Sequence, residues 1–218
     1  MTSWSTASAS RPAKNYKVGD IIKFGSYPYY ENGVEKAIEW QILEKYNDGT
    51  ALVISKYALD NVKYDETYTS VTWETSSIRK WLNNDFYNKA FRNADKSLIV
   101  QSYVENKDNA EYNTKGGNNT RDNLFLLSID EANKYFSFDK KRRLYPAPYA
   151  QSSKSKEGHL DTNTDFGGSC WWWLRSPGLN QLCAAVVTSG GDVYSYGNIV
   201  YYDRNAVRVA FKINLKNL

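Results

Sequence analysis

Gly168-Ser169-Cys170-Trp171-Trp172-Trp173-Leu174-Arg175-Ser176-Pro177-Gly178 is the stretch from which the rest of the chain can be read. Cys170 to Leu174 is bulky and aromatic, the composition of a β-strand. Alternation along a strand sends Trp172 to one face and Trp171 and Trp173 to the other. The three tryptophans read as structural, with one face left to floor a binding surface.

Downstream, Gly190-Gly191 turns a hairpin between Ala184–Thr188 and Asp192–Tyr196, and Ala206–Phe211 alternates as a closing strand. Upstream, Asp20–Gly25 reads as a short strand ended by Gly25. Ile38–Glu44 and Ala51–Ser55 flank Asn47-Asp48-Gly49, whose residues tolerate the positive φ of a tight turn. Ser76 or Thr75 caps a helix that carries Ile78, Trp81 and Leu82 on one face. A second turn, Phe86–Phe91, continues it after a break at Asn83-Asn84. Leu124–Leu127 reads as a short buried strand. Ser128 to Glu131 is a capping box that starts a helix through Tyr135-Phe136. Asn106–Asn123 and Gln151–Gly168 are polar and read as long surface loops, of a length that implies purpose or mobility.

The 218 residues are within reach of one domain, and no repeat or boundary divides them. Aromatic content is high at 15%, with 18 Tyr and 7 Trp, which suits both an α+β core and a wet recognition surface. The net charge of +4 comes from both signs, without the basic density that phosphate neutralisation needs, so nucleic acid is not an expected partner. Lys140–Arg143 reads as a solvated helix end. No run approaches the roughly 18 apolar residues of a membrane span, and membrane insertion is not expected. Met1–Lys14 lacks the apolar core of a signal peptide. Residues 1–16 read as a flexible leader and 17–218 as a single domain.

The chemistry of catalysis is hard to find. Cys170, Cys183 and His159 are the whole Cys/His inventory, too few for a four-ligand zinc site, and the cysteines read as reduced thiols. His159 falls in an exposed polar loop. Gly116-Gly117 and Gly167-Gly168 lack the pattern of a phosphate cradle. Neither a metal nor another cofactor is expected, and the chain reads as a binding protein without enzymatic activity.

The tryptophan stretch does not stand alone. Trp73–Leu82, Asn83–Phe91, Leu124–Glu131, Tyr135-Phe136 and the closing Ala206-Val207-Arg208-Val209-Ala210 accompany it. Together these segments resemble bacterial and phage C-type-lectin-fold proteins with a Trp-Trp-Leu-Arg-Ser-Pro-Gly strand. That group includes the variable proteins of diversity-generating retroelements. The resemblance covers about residues 17–215. It implies an α+β, C-type-lectin fold: a small twisted antiparallel sheet, two main helices and long loops. The chain ends should lie close, with the first strand pairing near the last. It also implies a variable region at about 179–204.

Such a retroelement mutates adenines, so Asn codons vary without ever reaching Trp, Met, Lys, Glu or Gln. Residues 1–178 contain 38 of those five types, about 21%. Over the 28 residues from Leu179 to Ala206, where about six would be expected, only Gln181 occurs. Ala184, Ala185, Val187, Val193, Gly197, Val200 and Val207 read as fixed scaffold. Leu182, Cys183, Val186, Thr188, Tyr194, Ser195, Tyr196, Ile199, Tyr201, Tyr202, Asp203 and Arg204 read as displayed ligand-binding residues. Each is reachable from an Asn codon. The tyrosines offer rigid amphipathic contact area at low entropic cost. Arg175 and Arg208 read as scaffold cations paired with buried carboxylates.

The chain departs from the resembled pattern at three places. Val209 stands where the family usually has Pro in its closing Val-Arg-Pro-Ala. Cys170 and Cys183 are 13 residues apart, unlike the close cysteine pair of the related formylglycine-generating enzymes. The calcium-type sugar motif of true C-type lectins is missing. The expected function is recognition of a macromolecular ligand, protein or glycan; the compartment stays open, a phage particle or a cell surface reached through a partner being among the options. Oligomerisation, including a trimeric receptor-binding tip, stays open. The alternatives are a non-diversified lectin-like or cell-envelope module and a degenerate formylglycine-generating-enzyme-like protein.

Overall fold

The computed structural model describes residues 15–218, together with every side chain in that range except that of Asn217; most of the leader segment lies outside it. Twelve strands are β1 (Ile21–Pro28), β2 (Glu35–Lys45), β3 (Thr50–Ser55), β4 (Asp60–Asn61), β5 (Ile99–Val100), β6 (Ser102–Val104), β7 (Thr120–Asp122), β8 (Trp172–Pro177), β9 (Cys183–Val187), β10 (Val193–Ile199), β11 (Ala206–Val207) and β12 (Ala210–Asn214) among the described residues. α1 (Ser77–Trp81) and α2 (Tyr87–Ala90) are joined into one helical run by a π turn at Leu82–Phe86. The short α3 (Asn93–Lys96), then α4 (Ile129–Tyr135), α5 (Asp139–Arg142) and α6 (Pro148–Gln151) follow. The fold is α+β with strand predominating.

Two five-stranded sheets are ordered β1-β2-β3-β12-β5 and β10-β9-β8-β11-β4, antiparallel except where β11 runs parallel to β8. The β2–β3 hairpin turns at Gly49 (φ 87), as its sequence demands. The first and last strands share a sheet, with β2 and β3 between them.

The closing segment is not one alternating strand. Ala206–Phe211 is buried throughout, because the chain leaves one sheet at Val207 and joins the other at Ala210. The segment from Ser55 to Asp60 makes the same crossing beside it. Ser55 and Leu59 N–H groups donate to the Val209 and Val207 carbonyls, at 2.8 and 3.3 Å. A strand covered on both faces has no reason to alternate.

Three further expectations change for local reasons. β1 passes through Gly25 rather than ending there. The residue sits at φ 65 in a bulge, where a Cβ would meet the Ala90 carbonyl and the Phe91 ring at 2.7 Å. Asn83-Asn84 does not break the helix; the π turn carries it through and aims Asn83 at the next segment. Asn83 Nδ2 donates to the Leu124 carbonyl (2.9 Å), and its Oδ1 accepts from the Asn123 and Leu124 N–H groups. Leu124–Leu127 is therefore buried without being a strand. Only Phe125 bridges to Ala210, while Asn83 and Arg175 satisfy the neighbouring backbone groups. Ser128 and Glu131 do form the reciprocal capping box of α4.

The core gathers Trp40, Trp73, Trp172 and Trp173, all essentially inaccessible. Each indole N–H finds an acceptor: the Phe24 carbonyl, Asp122, the Arg142 carbonyl and the Val62 carbonyl respectively. Arg175 does pair with a carboxylate, Glu131, though one that is half-buried rather than buried. Arg208 meets no carboxylate among the described residues. It lies between the Phe136 and Trp172 rings, 4.8 and 5.1 Å from their centroids, and donates to the Ser55 and Arg142 carbonyls. Burial pushes its guanidinium down to about 10. Nor is Lys140–Arg143 simply solvated. Arg142 is buried and donates to the Gly191 carbonyl at 2.7 Å, and Arg143 to that of Gly190 at 3.0 Å, so the two arginines hold the β9–β10 turn.

Candidate ligand-binding surface

β9 lies between β10 and β8, and all five of its residues are buried. Two residues read as displayed are thereby corrected. Val186 is fully buried, paired with Trp173 of β8, over whose ring Tyr64 packs at 5.6 Å. Cys183 is packed against the Gly178 turn, whose Cβ would lie 2.7 Å from that of Cys183. Both cysteines are free thiols, as expected.

β10 is the edge of its sheet and keeps the in-out pattern. Tyr194 and Tyr196 are 41% and 43% exposed, Ile199 and Tyr201 each 45%. Tyr194 and Tyr196 stack at 5.8 Å, and the half-buried Trp171 meets Tyr194 edge-on at 6.1 Å. Trp171 therefore contributes to this face, whereas Trp172 and Trp173 belong to the core. Gly197 makes the strand possible: at φ 78, a Cβ there would lie 2.2 Å from the Ala184 carbonyl oxygen. Leu182, Thr188, Ser195, Tyr202 and Asp203 are partly exposed, and Arg204 is exposed. Thr188 is engaged with Asp192 in closing the hairpin turn. Lys63 lies 4.2 Å over the Tyr201 ring, and Arg204 pairs with Asp161 at 3.0 Å, which raises the guanidinium above its ordinary value.

Residues distant in sequence hold this strip in place. Asn109, nearly inaccessible, donates through Nδ2 to the Pro177 and Ser195 carbonyls, both at 2.9 Å. Thr114 donates to the Leu179 carbonyl, Ser195 donates to Glu111, and Tyr112 meets Tyr196 edge-on at 6.0 Å. The first long polar loop is thus docked along the bulge of β10. At the other end, buried Asn61 donates to the Asp203 and Asn205 carbonyls, both at 2.9 Å, and accepts from the His159 N–H. The side chain of His159 is exposed. Only the asparagine content of these segments hinted at such clamps, since nothing local says which carbonyls they meet. Among the described residues no three His, Cys, Asp or Glu side chains gather in a way that could hold a metal ion, and no helix is long and apolar enough to cross a membrane.

A family model described as a domain of unknown function, DUF6273, matches residues 48–215. The chain belongs to this family. No curated protein and no solved structure matches it. The DUF6273 match contains the whole candidate surface and begins within the β2–β3 turn, leaving β1 and β2 ahead of it.

Proposed function

We propose that this DUF6273 chain is a recognition protein of C-type-lectin fold, binding a macromolecular ligand, protein or glycan, without catalysis. The binding surface comprises Tyr194, Ser195, Tyr196, Ile199, Tyr201, Tyr202, Asp203 and Arg204, with Leu182 and Thr188 at its margin. One observation carries the reading: four large apolar side chains stand 41–45% exposed on and just after an edge strand whose neighbour is wholly buried. Clustered exposed aromatics of this kind mark interaction sites, and tyrosines bind at low entropic cost. The backbone beneath is held by Gly197, Asn109 and Asn61, so the outward side chains are free to change. Retroelement diversification belongs to the same proposal and rests on the codon-restricted composition of residues 179–206. A template repeat beside a reverse transcriptase in the neighbouring DNA is its direct check.

The laboratory test is tolerance followed by selection. The combined variant Tyr194→Asp, Tyr196→Ser, Ile199→Asn, Tyr201→His should unfold cooperatively, each change costing within about 0.5 kcal/mol. Val186→Asn, which buries an amide without a partner, should cost about 3 kcal/mol or more. A library randomised at the four outward positions should then yield binders to a purified protein or an immobilised glycan. Loss of cooperative folding in the combined variant, or a library without binders, would refute the reading.

A further inference from the structure

A cavity of about 140 Å³ opens beside the strip, lined by Asp161, Trp171, Asn198, Tyr202, Arg204 and Asn205. Three of its properties narrow what it accepts. The first is size: it is well below the roughly 300 Å³ of the smallest drug-sized sites, and suits one small ring. The second is its walls, where Trp171 and Tyr202 supply apolar aromatic surface.

The third is its polar equipment, in which the one cation is already paired. Arg204 already faces Asp161 at 3.0 Å and Asp203 at 4.0 Å, which disfavours an anion; Arg204 itself disfavours a cation. What remains is a mixture of donors and acceptors. Asn198 Nδ2 donates to Asn205 Oδ1 at 3.3 Å. Asn205 is 1% exposed, and its Nδ2 has no hydrogen-bond partner among the described residues. A buried amide donor left unpaired is destabilising, so this wall of the cavity favours a ligand group that accepts.

A neutral ring with C–H faces to lie on aromatic walls, and hydroxyls that both donate and accept, answers all three. We propose that this cavity binds a single pyranose sugar, free or at the end of a glycan, without calcium. The ring stacks on Trp171, its hydroxyls meet Asn198, Asn205 and the Arg204–Asp161 pair, and Tyr202 closes the side. This assignment rests on the recognition reading of the same surface and gives it a ligand class.

The test uses saturation-transfer NMR on the full chain in EDTA. The probes are free glucose, galactose, mannose and N-acetylglucosamine, and oligosaccharides ending in each. At least one sugar should bind, with transfer strongest at its ring C–H protons. Trp171→Phe and Arg204→Ala should weaken it about tenfold or more, while Tyr30→Ser, at an exposed tyrosine outside the binding surface, leaves it unchanged. Arg204 is exposed, so its variant keeps the experiment informative if Trp171→Phe fails to fold. Equal affinity for free and terminal sugar assigns the site to a lone monosaccharide, and tighter oligosaccharide binding to a glycan end. Absence of binding by all eight probe types, or binding indifferent to both pocket variants, overturns the proposal. Should library members bind a protein target while no sugar binds, the recognition reading survives and the sugar pocket does not.

Discussion

Val186 and Tyr194 face each other across one rung of the β9–β10 ladder, yet one is inaccessible and the other 41% exposed. Paired residues in an antiparallel ladder point to the same face. The difference is what lies above them: Tyr64 covers the Trp173 end of this face, and the β10 edge is open. Asp60 shows the same dependence in its chemistry. Burial, the largest influence, holds its carboxyl above the ordinary carboxylate range, against the Tyr27 hydroxyl at 2.6 Å and the N–H groups of Asn61 and Lys156. The native chain therefore keeps this proton to higher pH than the unfolded chain. The resulting stability is present below the ordinary carboxylate pKa and is lost as pH rises from there through the raised value, at up to about 1.4 kcal/mol per pH unit. Urea midpoints measured from pH 4 upward should contain this decline, and Asp60→Asn should remove it. An unchanged pH slope in that variant would count against the assignment.

Among elements, those whose bonds are local were legible. The β2–β3 hairpin, the Ser76 and Ser128 caps and the β9–β10 hairpin all follow from turn residues and spacing. Elements completed by distant side chains were not. Leu124–Leu127 looks like a strand because it is apolar, but Asn83 and Arg175 take the bonds a ladder would have made. Asn109 does the same for the β10 bulge, reaching carbonyls 68 and 86 residues away. Asn109→Ala would leave those two carbonyls unpaired and should cost about 1–3 kcal/mol for each. Amide exchange at residues 109–114 and 193–199 should accelerate selectively. Uniform acceleration across both sheets would mean that Asn109 is not a local clamp.

For the whole molecule, the DUF6273 match starts at residue 48, but the folded unit starts earlier. β1 and β2 supply two of the five strands in the first sheet, with Trp40 and Ile42 fully buried between them and the rest of the core. A chain trimmed to residues 48–218 should uncover β3 and fail to unfold cooperatively in thermal denaturation, whereas the full chain should melt in one transition. Cooperative melting of the shorter piece would show that β1 and β2 are dispensable. The amino-acid sequence by itself determined the α+β class, the turns and caps, and the region where exposed tyrosines collect, because each depends on spacing within a few residues. Tertiary structure alone decided that Val186 and Cys183 are covered, that Arg208 rests between rings instead of beside a carboxylate, and that Trp171, Asn198 and Asn205 share one cavity with Asp161. Burial and long-range hydrogen bonding join segments tens of residues apart, and periodicity carries no record of which segments will meet.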